Sequence, residues 1–322
     1  MVRSVIVDRP GGPEVLALGE RPDPEPGPGQ LLVRTSAAGV NFIEVYQREG
    51  IYPVEHPFTP GSEGAGTVTA VGEGVEHFAL GDRVTTSQAA RTYADAFVVD
   101  ADKALRVPAG IPDEVAAAIP LQGLTAHYLV RSTYPVHEGD VAVLTAAAGG
   151  VGGLAVQLLK RQGATVVALV GSEDKARTAR SLGADEVLVG YDGFAARVRE
   201  LTDGRGADVV YDSVGRDTFD ESLTALRARG TLVLFGGSSG QVPPFDLQRL
   251  AQNGSLYVTR PTLNDYLRDE KERSWRAGEL FDAVLEGTLS VRVAGTFPLA
   301  EARRAHEVLQ SRTAQGKLLL VP

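Results

Sequence analysis

Hydrophobic and polar positions follow two different rhythms along this chain. From about residue 121 onward, short β-rich apolar runs at 141–144, 164–170, 186–189, 208–211, 231–235 and 255–259 are separated by stretches of helical period. Strands alternating with helices in this way predict an α/β domain built on a doubly wound parallel sheet. Over 151–162, Val151, Leu154, Ala155, Leu158 and Leu159 share one helical stripe, and Gly163 stands where a helix closes on a left-handed residue. Phe194, Val198 and Leu201 repeat the stripe over 194–201.

Residues 1–120 read differently, as short alternating runs such as 31–34 and 67–71 divided by Gly/Pro turns, with the densest at 22–29. That pattern predicts an all-β or barrel-like domain. After Pro261 comes a long helical stretch reaching Glu286, then an apolar run at 291–297, a helix over 300–310 and a terminal apolar run at 318–321. These last elements are expected to return to the first domain, which gives a discontinuous domain 1–122 with 266–322 and a second domain 123–265. A chain of 322 residues is long enough for two such cores.

Composition narrows the chemistry. A formal charge of −9 disfavours a protein whose main work is coating nucleic acid or an anionic membrane, because phosphate binding needs clustered Lys and Arg. No apolar stretch approaches the ~18 residues needed to span a bilayer, and the start of the chain is too short in its apolar part for a signal peptide, so a cytoplasmic location is expected. Cysteine is absent, which removes disulfides, thiolate nucleophiles and sulfur-ligated zinc. The five histidines, at 56, 77, 127, 137 and 306, show no ligand spacing and read as surface or packing residues, so no metal site is expected.

Ala146-Ala147-Ala148-Gly149-Gly150-Val151-Gly152-Gly153 follows one expected strand and opens the next helix. In that setting glycines let the backbone approach a pyrophosphate, and the helix N-terminus offers unpaired N–H groups, so the loop predicts a Rossmann-type dinucleotide site. An NAD-specific site usually places an acid at the end of the second strand to hold the ribose hydroxyls. Here Gly171 and Ser172 stand in that place, and Lys175 follows in the first turn of the next helix, in reach of a 2′-phosphate. NADPH is therefore favoured over NADH, with Glu173 and Asp174 as acids that also suit a helix N-terminus for dipole reasons.

Several stretches resemble the medium-chain dehydrogenase/reductase superfamily. Gly61-Ser62-Glu63-Gly64-Ala65-Gly66-Thr67-Val68, leading to Val71-Gly72-Glu73-Gly74-Val75 and Gly81-Asp82-Arg83-Val84, is similar to its first-domain fingerprint. The spacing from Gly139-Asp140 through the glycine loop to Gln157 and Lys160 resembles the quinone oxidoreductase, zeta-crystallin-like branch. Tyr211-Asp212-Ser213-Val214-Gly215-Arg216-Asp217-Thr218, Gly254 to Pro261 and Arg304-Ala305-His306-Glu307 resemble its bacterial NADPH-using members. The likeness covers essentially the whole chain. Zinc-dependent members carry a His-Glu pair in the fingerprint, where this chain has Ser62-Glu63.

The resemblance implies a GroES-like β-rich catalytic domain beside the NADPH-binding one. It also implies that Asn41, Phe42, Ile43, Glu44, Val45 and Tyr46 form a loop under the nicotinamide and that Tyr128 lies beside the cofactor. Gly150 and Val151 would lie at the pyrophosphate, and Gly171, Ser172, Glu173, Asp174, Lys175 and Tyr191 at the adenosine 2′-phosphate. Ser213, Phe235, Gly236, Gly237, Ser238, Arg260, Pro261 and Thr262 would follow the ribose and nicotinamide, with Arg312 completing the set.

The expected reaction is hydride transfer from NADPH to an electron-poor conjugated acceptor, a quinone being favoured. A quinone gains charge on oxygen as it is reduced, which calls for a donor there, and Asn41, Tyr46 and Tyr52 are the candidates by position. One-electron and two-electron transfer both stay open, as does a proton drawn from solvent. An enone or enal reductase of the same fold is the nearest alternative, and an NADPH-occupied RNA-binding or structural crystallin-like protein is the alternative from another class. The acidic balance counts against RNA. A homodimer is expected, since 255–259 is an apolar edge strand that needs cover.

Overall fold

In the computed structural model, which describes all 322 residues, the chain divides into two units, Met1–Gln122 with Asp269–Pro322, and Gly123–Arg268.

The Gly123–Arg268 unit is built on six parallel strands in the spatial order Glu186–Val189, Thr165–Val170, Val141–Thr145, Ala207–Asp212, Leu226–Leu234 and Tyr257–Thr259. Strand order therefore reverses on either side of Val141–Thr145, and the carboxyl ends of the strands at such a switch point leave a crevice for a ligand. Ala207–Asp212 is buried at every position, and Thr165–Val170 at all but its first. Strands this uniformly apolar belong to a sheet with helices on both faces. Val143, Val167, Leu169, Val210 and Leu232 from the sheet pack with Phe194, Val198, Phe219 and Leu223 from two of those helices. Each buried aliphatic side chain of this size stabilises the fold by roughly 1.5–3 kcal/mol. The observed helix Phe194–Leu201 has the bounds its stripe predicted, and Gly163, at φ 79°, follows Gly150–Arg161 in the left-handed region.

The other unit carries a seven-stranded sheet and the separate hairpin Val2–Ile6 with Ala17–Arg21. Along the sheet run Val293–Pro298, Lys317–Val321, Gln30–Val40, Gly64–Val71, Arg83–Thr86 and Leu105–Arg106, and Ala96–Asp100 also pairs with Gln30–Val40. The C-terminal strand is thus tied to the N-terminal half through Leu318 opposite Val40 and Leu320 opposite Ala38. Two apolar clusters result, one of Leu31, Val33, Val68, Val84, Phe97 and Val99, the other including Val5, Val7, Val40, Tyr93, Leu299, Leu318 and Leu320. Gly66 lets Gly64–Val71 lie close to its neighbour, because a Cβ there would sit 2.0 Å from the Arg34 carbonyl oxygen.

Two expectations change. The segment that starts at Asn41 is a helix, Phe42–Arg48, with Asn41 as its N-cap; the Asn41 amide donates to Glu44 Oε2 at 2.9 Å. Asn followed three positions later by Glu is a capping-box signature, which explains why the chain turns helical there. The expected long helix after Pro261 is broken into a short 3₁₀ turn, Leu263–Tyr266, and the helix Glu270–Leu285. Asp269 starts the second piece by accepting the Glu272 amide at 2.8 Å.

Candidate active site

In the α/β unit, Val141–Thr145 leads through Ala146 and the glycines into Gly150–Arg161, whose N-cap Gly149 has no side chain to cap the first turn. The amides of Gly150 and Val151 lie at that N-terminus, where the helix dipole is positive. Gly152 brings helix and turn together, since a Cβ there would stand 2.3 Å from the Ala146 carbonyl oxygen. Glycines packed this closely at an uncapped helix end at the switch point fit a pyrophosphate.

Ser172 caps the next helix, Glu173–Ser181. Gly171, Ser172, Glu173 and Asp174 are exposed, and Lys175 and Tyr191 are half-buried. Asp174 is engaged by Arg177 at 2.6 Å, which offsets one of the two acids beside Lys175. Gly171 to Lys175 follow Thr165–Val170 directly, the Gly190 amide, next to Tyr191, donates to the Val170 carbonyl at 2.8 Å, and the strand end itself carries no acid.

Asp212 organises the third part of this crevice and was not singled out from sequence. It is wholly buried, and its Oδ1 accepts the amides of Val214 at 2.8 Å and Gly215 at 3.1 Å. Thr218 and Ser222 donate their hydroxyls to Oδ2 at 2.7 and 2.9 Å. Its carbonyl accepts the Phe235 amide at 2.8 Å, and the Ser238 amide donates to the Ser213 carbonyl at 3.1 Å. Ser213, Phe235, Gly236, Gly237 and Ser238 are thereby held as one pair of loops. A Cβ at Gly236 would meet the Ser213 carbonyl oxygen at 2.5 Å, so only glycine fits. Arg260 is exposed and donates to the Leu234 carbonyl at 3.1 Å, beside buried Pro261 and exposed Thr262. Tyr128 is buried with its ring stacked on Tyr266, centroids 4.3 Å apart.

The other unit holds a buried polar cluster. Glu44 and Glu63 have no exposure and Lys317 only 1%. Lys317 Nζ donates to Glu63 Oε2 and, at 2.6 Å, to Asn41 Oδ1; Asn41 Nδ2 donates to Glu63 Oε2 at 3.0 Å and to the Gly39 carbonyl at 3.4 Å. The Leu121 amide donates to Glu63 Oε1 at 2.7 Å. Gly39 leaves room for the pair, because a Cβ there would be 2.1 Å from Glu63 Oε2. Glu44 accepts the Asn41 amide, and Ser62 donates to Glu44 Oε1 through its amide at 3.2 Å and its hydroxyl at 2.9 Å. Burial pushes the Glu44 carboxyl up to about 7, against the opposing pull of Lys317 and Ser62.

Asn41 Nδ2 donates to Glu63 Oε2 and to the Gly39 carbonyl, and Glu44 and Val45 are buried at 0% and 2% exposure. Phe42, Ile43, Tyr46 and Tyr52 keep some exposure; Tyr46 and Tyr52 meet edge to face at 5.4 Å and Phe42 lies 6.2 Å from Tyr46. Arg312 is exposed at φ 58°. Sequence missed Lys317 altogether; a lysine inside an otherwise apolar terminal strand was its one signal.

His306 is a packing residue, buried between Arg48 at 3.0 Å from Nδ1 and the Tyr93 hydroxyl at 3.2 Å from Nε2. Arg48 can only donate, so Nδ1 accepts and Nε2–H faces Tyr93. Burial and the neighbouring guanidinium hold the ring neutral, down to about 3. No group of three or more His, Asp or Glu residues is placed to hold a metal ion, and no helix is long and apolar enough to cross a membrane.

Residues 27–139 match the alcohol dehydrogenase GroES-like domain family and residues 150–275 the zinc-binding dehydrogenase family. Quinone oxidoreductase 1 of Escherichia coli is 44% identical over 317 residues, 97% of each chain. The 2-haloacrylate reductase of a Burkholderia species is 40% identical over 331 residues, 100% of this chain and 99% of that one. A mycobacterial structure complexed with NADPH superposes with a TM-score of 0.97 at 47% identity, covering 100% of both chains. The two-unit fold, the glycine-lined crevice and full-length similarity lead to one assignment: the chain belongs to the quinone oxidoreductase family of the medium-chain dehydrogenase/reductase superfamily.

Proposed function

We propose that this oxidoreductase is an NADPH-dependent quinone reductase, in which Gly123–Arg268 is the Rossmann NADPH-binding domain and the remainder the GroES-like catalytic domain. The observation that carries the reading is the uncapped, glycine-packed helix end at the switch point, with Lys175 and no strand-end acid beside it. NADPH, when bound, supplies the hydride. Gly150 and Val151 hold its pyrophosphate, Lys175 with Gly171, Ser172 and Tyr191 its 2′-phosphate, and the loops braced by Asp212 its ribose and nicotinamide, with Arg260, Pro261 and Thr262 along its length. The rings of Phe42, Tyr46 and Tyr52 offer an aromatic wall to a flat conjugated acceptor.

The test is initial-rate NADPH oxidation with 1,4-benzoquinone and with a simple enone. A higher kcat/KM for the quinone supports this function, and turnover of neither acceptor removes it. The 2-haloacrylate reductase likeness favours a second reading, an activated C=C acceptor, which preference for the enone would select. The edge strand Tyr257–Thr259, with Tyr257 62% exposed, supports a homodimer joined along that edge; a monomeric mass at micromolar concentration contradicts it. A cytoplasmic location belongs to the same reading and is checked by cell fractionation.

A further inference from the structure

The two strands that flank the switch point, Val141–Thr145 and Ala207–Asp212, lie side by side and parallel. The chain leaves the first toward Thr165–Val170 on one side and the second toward Leu226–Leu234 on the other, and the crevice opens between them. Thr145 ends one strand and Ser213 directly follows the other, so the two residues stand on its opposite lips. They are joined across it. The Ser213 amide donates to Thr145 Oγ1 at 2.8 Å, and the two hydroxyl oxygens lie 3.2 Å apart. Thr145 has no exposure, whereas Ser213 is half-buried.

The protons of this pair have one good arrangement. Thr145 Oγ1 accepts the Ser213 amide and has a single hydrogen to give. Its other neighbours, the Tyr211 carbonyl and Asp212 Oδ1, are both 3.5 Å away, too far for a good O–H···O bond, and Oδ1 already accepts the amides of Val214 and Gly215. The Thr145 hydrogen therefore goes to Ser213 Oγ. The amide of Ser213 is taken by Thr145, its carbonyl by the Ser238 amide at 3.1 Å, and its hydroxyl has no second partner in the protein. Ser213 is left with one hydrogen to give, on the side open to the crevice.

We propose that Thr145 is a positioning residue that makes Ser213 a hydrogen-bond donor to the nicotinamide-side ribose of NADPH. The inference rests on the placement of NADPH given above, with the pyrophosphate at Gly150 and Val151 and the ribose and nicotinamide on the loops braced by Asp212. Between those two places the cofactor crosses from the end of one central strand to the end of the other, and Ser213 stands at the crossing. Thr145, wholly buried, acts through Ser213: its hydroxyl fixes the Ser213 amide and Oγ together, and a hydroxyl that accepts one hydrogen bond donates the next more strongly. Neither hydroxyl concerns the adenosine half, which the same placement sets at Lys175.

Equilibrium affinities for NADPH and for adenosine 2′,5′-bisphosphate, which carries the 2′-phosphate and lacks the nicotinamide half, test this role. T145V and S213A should each weaken NADPH binding about tenfold and leave that of adenosine 2′,5′-bisphosphate unchanged, whereas K175A should weaken both. T145S, which keeps the hydroxyl, should bind NADPH as wild type does. The double variant T145V/S213A should bind NADPH no more weakly than S213A, because both changes remove the same bond to the cofactor. An S213A protein that keeps its NADPH affinity overturns the inference, as does a T145V protein that weakens both ligands alike or a double variant that loses the product of the two single effects. A wild type that binds NADPH and reduces no acceptor overturns the quinone reading alone, since these affinities still decide the role of Thr145. A wild type that binds no NADPH overturns the cofactor placement and this inference with it.

Discussion

The glycine-loop end of the α/β unit and the Glu63-centred cluster of the other unit solve opposite problems with opposite materials. The first is made largely of backbone: glycines at 149, 152 and 236 bring main chain close to main chain, and Asp212 ties two loops through amides and hydroxyls near it in sequence. The second is made of ionisable side chains with almost no exposure, and the bond from Lys317 to Glu63 spans 254 residues. A backbone cradle tolerates change wherever the chain still fits. A buried charge cluster depends on each member being present, because one removed partner leaves an unpaired charge.

The comparison predicts its own largest effect. K317M should destabilise the protein by about 3–5 kcal/mol in chemical denaturation, since it strands Glu63 without a cation. Adding E63Q should recover much of the loss; a double variant as unstable as K317M would mean that the pair is not the unit of stability. In the cradle, G152A should cost about 1–3 kcal/mol, because a Cβ must push the helix from the Ala146 carbonyl, and it should weaken NADPH binding as well.

The pH dependence of stability sharpens the contrast further. Glu44, raised from 4.5 to about 7, binds more protons when folded, so its contribution is fully present below 4.5 and lost as pH rises through 7. His306, lowered from 6.5 to about 3, acts the other way: its contribution is present above 6.5 and lost as pH falls through 3. The two oppose each other between pH 4.5 and 6.5. E44Q should leave His306 uncompensated, so the slope of unfolding free energy in that window becomes more positive by up to about 1.4 kcal/mol per pH unit. Urea melts of wild type and E44Q across the window read this directly.

Legibility in the sequence followed the same division. The parallel sheet, the helix Phe194–Leu201 and the glycine loop were readable because each is set by spacing within a few dozen residues. The helix Phe42–Arg48 replaces an expected loop although its Asn41–Glu44 signature lies in plain sequence; a seven-residue helix is too short for a clear apolar stripe. Glu63 was visible only as part of a fingerprint, and its partnership with Lys317 and Asn41 was not visible at all. No local rule links a C-terminal strand to a residue more than two hundred positions earlier. Ser62 likewise read as the residue standing where zinc-dependent relatives have histidine, and only the fold set its hydroxyl against Glu44.

The most direct test of NADPH-dependent quinone reduction is kcat/KM for NADPH and for NADH with 1,4-benzoquinone, in wild type and in K175A. Wild type should prefer NADPH, and K175A should lose about tenfold in that preference with little change toward NADH, as expected for one lost charge on the 2′-phosphate. A wild type that uses NADH as well as NADPH, or a K175A variant that keeps the preference, would contradict the account.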